Sequence, residues 1–443
     1  MPVVSRWAGP DSSWVRRLLI PVLVTGAACA FVPGRALAQS ANVEGRPVAA
    51  IRVVGLRHTK PELVERHLRD RVGAPWHEAN LAAVTRRLDE LRLFTAVAIA
   101  PVLENNQVIL EVTVIETLRV LPTASVRVTD ENGFSFGFGA KVINVMGAGA
   151  RAGGTLRFGG ETSIEATVEK TTITPGTWAQ RVIASYTERH NKLYEFDEKA
   201  TSLEARLARN LGRGVSSGLA ATLLMIGDEA ADATLSADGR DEIPSAGAFV
   251  TLDTLDSSTD TQTGVWAEFE VDRLMGDARS WTAIADGRLF VRLTDRHNLG
   301  LFGLATVQTG EPGVDLPEYL QFALGGANSV RGWRLGSRRG GNQFLGTAEY
   351  SYVLLPKRPF SVWGFNLYAG VQLVGFADVG ETTNADPEAT GGNAIDGYGV
   401  GLRLLVPFVD VVRLEVGWGE PGQGASAYFG VQLKPIRQRQ RVR

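Results

Sequence analysis

From residue 118 onward the sequence alternates with a period of two, and this constrains the fold more than any other feature of the chain. Val265, Ala267, Phe269 and Val271 fall on one side of an extended strand, while Trp266, Glu268, Glu270 and Asp272 fall on the other. Phe134, Phe136 and Phe138 alternate with Ser135, Gly137 and Gly139. Leu203, Ala205 and Leu207 alternate with Glu204 and Arg206, and Tyr398, Val400, Leu402, Leu404 and Val406 alternate with small residues and Arg403. About sixteen such segments lie between residues 118 and 434, separated by turn-rich stretches such as Gly227–Ser245 and Glu381–Asp396. A soluble sandwich produces the same alternation. A closed barrel with a wet lumen and a lipid-facing exterior fits this many strands better, because closure removes exposed edges.

Apolar runs separate these possibilities from others. The one long run is Leu18–Val32, and no later stretch approaches the roughly 20 apolar residues of a membrane-spanning helix. A polytopic helical membrane protein is therefore excluded. Arg16 and Arg17 precede the run and Ala36-Leu37-Ala38 follows it, so residues 1–38 read as a secretory signal peptide cleaved after Ala38. A membrane anchor or a lipid-modified Cys29 are the competing readings. The chain has a single cysteine, Cys29, so an exported form starting at Gln39 has no disulfides. Lys+Arg 46 against Asp+Glu 48 gives a net charge of −2, which supplies no global field for nucleic acid or for anionic lipid. The mean hydropathy of −0.01 resembles that of a soluble protein, but an average over alternating faces cannot distinguish the two. Gly, at 50 residues, is over-represented against the usual share of about 7%.

Residues 45–117 follow another pattern. Val48–Val54 reads as a strand, Thr59 as a helix cap before Pro61 and Glu62, and Leu63, Val64, His67 and Leu68 as one helical face. A second helix is predicted over Glu78–Leu91, with Leu81, Val84, Leu88 and Leu91 on one side. Phe94–Leu103 and Gln107–Ile115 then alternate as strands around Glu104-Asn105-Asn106. The order β-α-α-β-β, with Val53-Val54-Gly55 early and Leu91-Arg92-Leu93-Phe94 before the second strand, resembles a POTRA domain. That resemblance implies a periplasmic module that binds polypeptides by strand addition, with the Gln107–Ile115 strand as the expected edge. A generic small α+β domain is the alternative.

Candidate functional residues cluster in the last third. A guanidinium sits in a glycine-rich loop, Gly325-Gly326-Ala327-Asn328-Ser329-Val330-Arg331-Gly332-Trp333. Such a sequence points to a backbone making close approaches around one anchored charge. Phe376, Asp378 and Gln372 share a strand face, which directs Asp378 into the lumen. Glu349 shares the polar face with Thr347 and Ser351. Val330-Arg331-Gly332-Trp333, Phe376-x-Asp378-x-Gly380, the glycine-rich Gly397–Arg403 and the Asn144–Gly149 turn together resemble the Omp85 superfamily. In that resemblance Val330–Trp333 is the inward-folded tip of a long loop, and Asn144–Gly149 follows the first barrel strand.

The resemblance implies an all-β transmembrane barrel of about 16 antiparallel strands (118–434), one POTRA domain (45–117) and a basic tail (435–443). It implies an outer-membrane location, a lipid bilayer and unfolded or nascent periplasmic polypeptides as partners, and no enzyme activity, cofactor or metal. A charge buried in the lumen requires a carboxylate; Asp378 is the expected partner of Arg331 and Glu349 the second. Trp363, Tyr368, Trp418 and Tyr428 suit interfacial girdles, although each taken singly reads as ordinary packing. A passive channel or structural protein of the same fold remains open. An esterase built on Gly133-Phe134-Ser135-Phe136-Gly137 requires a strand-to-helix elbow that this phenylalanine-alternating strand lacks. His58, His67, His77, His190 and His297 have no metal-ligand spacing.

Overall fold

The computed structural model describes residues 43–432 apart from 82–83, 86–87, 89–90, 92, 106, 117–118, 130–131, 171–175, 228–232, 257–260, 363–364, 384–393 and 407–409. The expected signal peptide and basic tail lie outside the described residues, as does Trp363.

A small α+β unit precedes a large sheet. Its three strands are Val48–Val54, Phe94–Glu104 and Gln107–Glu116. Val48–Val54 pairs parallel with Gln107–Glu116, which also pairs antiparallel with Phe94–Glu104. Gln107–Glu116 is therefore the central strand, and the expectation that it offers the free edge is wrong. Its hairpin with Phe94–Glu104 is local, but the parallel partner comes from some sixty residues earlier and covers the other side. The outer strands are Val48–Val54 and Phe94–Glu104.

The helix Pro61–Leu68 buries Leu63, Val64, His67 and Leu68 against the sheet, on the face that helical spacing marks. Its N-cap is Lys60, without a side-chain cap bond. Thr59, expected as the cap, is engaged elsewhere. Its N–H donates to Glu116 at 2.7 Å, and its hydroxyl accepts from the Asn144 amide at 2.6 Å. Burial pushes the Glu116 carboxyl up, but hydrogen bonds from the Thr59 side chain and the Thr59, His58 and Arg57 backbone outweigh it and hold it low. A 3-10 turn at Glu78–Asn80 leads into helical Leu81, Val84 and Leu88; Val84 and Leu88 reach the core.

The large sheet contains sixteen antiparallel strands among the described residues, each hydrogen-bonded to its neighbour in the chain. They run from Val120–Thr129, through Gly133–Val145 and Ala150–Gly159, to Asp410–Trp418 and Ser426–Gln432. The last strand lies beside the first, so the sheet curls into a barrel. Alternation sorts its faces. Phe134, Phe136, Phe138, Phe269, Tyr398 and Val400 are exposed on the exterior, whereas Glu270, Asp272, Asp378 and Glu415 are buried inside. Ser245, expected in a turn-rich stretch, lies within the strand Arg240–Asp253.

The unit is seated on one barrel turn. Asn144–Gly149 follows the second strand, Gly133–Val145, not the first. Lys60 N–H donates to the Gly147 carbonyl at 3.1 Å, and Ile143 joins the core of the small unit. Gly147 has φ +70°, and a Cβ there would collide with the His58 carbonyl, so glycine is required for this approach. This turn marks the domain end of the barrel.

Candidate functional site

The long connection between the strands His297–Gln308 and Asn342–Val362 folds into the barrel. It closes on itself first. Gly326 N–H donates to the Trp333 carbonyl at 2.8 Å, and the Ser329 hydroxyl accepts from Gly325 N–H at 2.8 Å and donates back to its carbonyl at 2.6 Å. Val330 is fully buried with Leu324, Leu345 and Ile395. These contacts present Arg331 at the tip, where it is 0% exposed.

Arg331 binds Asp378 in a forked arrangement. Nε donates to Oδ2 at 2.8 Å and Nη2 to Oδ1 at 2.9 Å, and the Arg331 backbone N–H adds a bond of 3.1 Å to Oδ2. Thr347 donates to Asp378 Oδ1 at 2.8 Å. Arg331 Nη1 lies 3.0 Å from Glu349 Oε1 and donates to Glu415 Oε2 at 3.1 Å. The guanidinium carbon stands 3.4 Å from the centroid of the Phe376 ring, adding a cation–π contact. Arg403 donates to Glu349 at 2.6 Å, and Arg403 and Arg413 each lie 3.8 Å from Glu415. Three arginines thus face three carboxylates, and the formal charges balance.

Of the residues singled out in the sequence, Arg331, Asp378, Glu349 and Phe376 meet in this cluster. Gly380 is where Val330 packs, and Gly332 and Trp333 clamp the loop to the wall. Gly332 has φ +97°, and a Cβ there would strike the Trp418 carbonyl. Gly332 N–H donates to the Tyr428 hydroxyl at 2.8 Å, and Trp333 Nε1 donates to the Asp396 carbonyl at 2.6 Å. On the facing wall, Gly397 lacks the Cβ that would collide with the Arg331 carbonyl. Beyond the tip, Arg334 grips Glu420 at 2.6 Å and holds its carboxyl below the usual range.

Sequence reading missed Glu415, Arg413, Arg334 and Glu420. Of the two readings open for Tyr428, a girdle or ordinary packing, the structure shows packing: Tyr428 is buried with its hydroxyl on the loop. Its parity carried the signal: Tyr428 alternates with Phe429, which is exposed on the exterior. Trp418 stacks on Tyr398 at the outer surface, with centroids 6.1 Å apart. Ser135 lies within the strand Gly133–Val145 and accepts from Glu161 N–H at 3.2 Å; another strand, not a helix, follows. Among the described residues no His/Cys/Asp/Glu group has metal-site geometry.

No curated protein matches the chain in sequence. Solved structures of outer-membrane barrels share its fold, among them the following three. BamA from Haemophilus ducreyi lacking POTRA domains 1–3 aligns with a TM-score of 0.64 at 14% identity, covering 87% of this chain and 83% of that one. CdiB from Acinetobacter baumannii aligns at 0.56 and 14%, covering 85% and 70%. CdiB from Escherichia coli aligns at 0.54 and 15%, covering 88% and 91%. The Omp85 superfamily domain matches residues 129–430, well over half of the sequence and nearly all of the barrel. The chain belongs to the Omp85 superfamily of bacterial outer-membrane barrels.

Proposed function

We propose that this barrel inserts or translocates polypeptides, and that the small unit is a POTRA domain that receives them by strand addition. The loop tip at Val330–Trp333 then serves as a latch. The observation that carries this reading is the anchoring of Arg331 by Glu349, Asp378 and Glu415 on the strands Asn342–Val362, Phe365–Thr383 and Asp410–Trp418, while Arg403 on the intervening strand Ala394–Val406 pairs with Glu349. These strands run up to Ser426–Gln432, beside the junction of the last strand with the first. A clamp across this part of the wall couples loop position to the strands next to the junction. Such a reaction makes no covalent bond and needs no catalytic residue.

The receiving edge on this reading is Phe94–Glu104, paired on one side with Gln107–Glu116. An incoming extended segment gains backbone hydrogen bonds along a strand of eleven residues. The test is a photoreactive residue at Ala100 in the full chain, with cells irradiated during export. Adducts with unfolded outer-membrane or secreted polypeptides support the reading. Steady ion conductance with no polypeptide adduct overturns it in favour of a passive channel.

A further inference from the structure

The exterior wall carries a trough unrelated to the loop. Ala267, Gly287, Gly303 and Gly346 lie side by side in one row across four neighbouring strands. In the next outward row, farther from the domain end, Phe269 and Phe344 flank Ala285 and Ala305 and are exposed on the lipid face. The trough is part of an open groove of about 860 Å³ that continues around the wall from Val215 to Ala394 and is lined almost wholly by apolar atoms. Two of its floor glycines are not demanded by the fold. Neither Gly287 nor Gly303 has positive φ, and a Cβ on either would meet nothing within 4 Å. Glycine inside a strand weakens it and marks places where another molecule approaches the backbone closely.

A polar cluster lies on the same face lower on the same strands. The Tyr350 hydroxyl hydrogen-bonds His297 Nδ1, and Arg296 Nη1 donates to the Tyr352 hydroxyl at 3.4 Å. The His297 ring lies 5.1 Å from that of Tyr352. Arg296 is exposed in the turn joining Ser280–Arg292 to His297–Gln308, at the domain end, with Asp295 exposed beside it. Outward positions on this strand run from His297 to Val307. At about 3.3 Å per residue and a tilt near 45°, they span roughly 23 Å, close to the apolar band of about 25 Å on such barrels. His297 and Arg296 thus mark one edge of the band, and Gly303 stands about 14 Å deeper, near the reach of one leaflet of about 15 Å.

We propose that this wall holds a phospholipid of the leaflet at the domain end. Arg296, His297 and the Tyr350 and Tyr352 hydroxyls take its phosphate, and an acyl chain rises past Leu299 and Leu301 into the trough over Gly303. Charge complementarity selects an anionic phosphate at the rim. The open backbone floor selects a flexible chain over a bulky side chain.

The test is native mass spectrometry of the full chain in detergent, mixed with dioleoylphosphatidylglycerol or with dioleoylglycerol, which lacks the phosphate. One phosphatidylglycerol should survive activation that strips dioleoylglycerol. Gly303→Leu, which fills the trough, and Arg296→Gln with Tyr352→Phe should each lower the lipid-bound fraction at least fivefold, with heat-modifiable gel mobility unchanged. Wild-type retention in Gly303→Leu overturns the proposal. So does equal retention of the two lipids by the wild-type chain, a comparison that needs no variant. A lipid-free mass of two chains assigns the trough to a second copy instead.

Discussion

The Arg331 cluster makes the loop's position measurable, and Asp378→Asn is the sharpest perturbation. Asp378 receives three bonds from Arg331, two from the side chain and one from the backbone. The amide keeps the shape and removes the charge. Breaking one side of a buried pair costs about 3–5 kcal/mol. Glu349 and Glu415 still neutralise part of Arg331, which places the loss near the lower end. About 3 kcal/mol corresponds to roughly a hundredfold rise in the undocked fraction of the loop. The chain's single cysteine, Cys29, lies in the predicted signal peptide. In a Cys29→Ser background, Val330→Cys introduces a unique reporter at a fully buried position. Its labelling by an impermeant maleimide reports opening. Asp378→Asn should accelerate labelling about a hundredfold, and Glu415→Gln, which loses one charge-assisted bond of about 1.5 kcal/mol, about tenfold. A change below about threefold in Asp378→Asn, with the barrel still heat-modifiable, refutes the latch energetics.

Two further outcomes follow from the same geometry. The reciprocal exchange Arg331→Asp with Asp378→Arg should not restore docking. The new aspartate would stand among Glu349 and Glu415, so labelling of Val330→Cys should stay well above the parent rate; full restoration would reduce the cluster to an isolated pair. Acidification should loosen the outer clamp. The Arg334 side chain holds the Glu420 carboxyl low in the folded state, so this contribution is complete above the ordinary glutamate pKa of about 4.3 and is lost as pH falls through the lower folded value. Hydrogen exchange over residues 326–336, corrected for its intrinsic pH dependence, should rise below that point in the parent and lose this step in Glu420→Gln.

The period of two made the faces legible but not the neighbours. Asp378 and Glu349 are assigned to the lumen by parity alone, because a one-residue slip would turn every side chain in the strand to lipid. The same rule holds for Arg413 and Glu415. Yet nothing local indicates that they lie at the depth of Arg331, since depth depends on register accumulated across several strands. For Tyr428 residue type suits a girdle, but parity with the exposed Phe429 places it inside. In the small unit the hairpin was legible, but the parallel pairing of Val48–Val54 was not. Its partner lies beyond two helical segments, and sequence gives no register for so distant a contact. Thr59 failed as a cap for a related reason: Asn144, eighty-five residues away, competes for its hydroxyl.

Charge balance explains how the cluster can be buried, and on the proposed latch it sets the cost of release. With the loop docked, Arg331, Arg403 and Arg413 offset Glu349, Asp378 and Glu415. With the loop withdrawn, two arginines face three carboxylates, and the wall next to the barrel junction becomes anionic. Undocking therefore carries an electrostatic cost that an arriving cationic segment can offset. Arg331→Gln imposes the same imbalance permanently. In planar bilayers this variant should conduct with a higher cation preference than the parent, and Arg331→Gln with Asp378→Asn should lose most of that increase. An unchanged reversal potential in Arg331→Gln would mean that these carboxylates do not face the conducting path, and the electrostatic basis of release would fall with it.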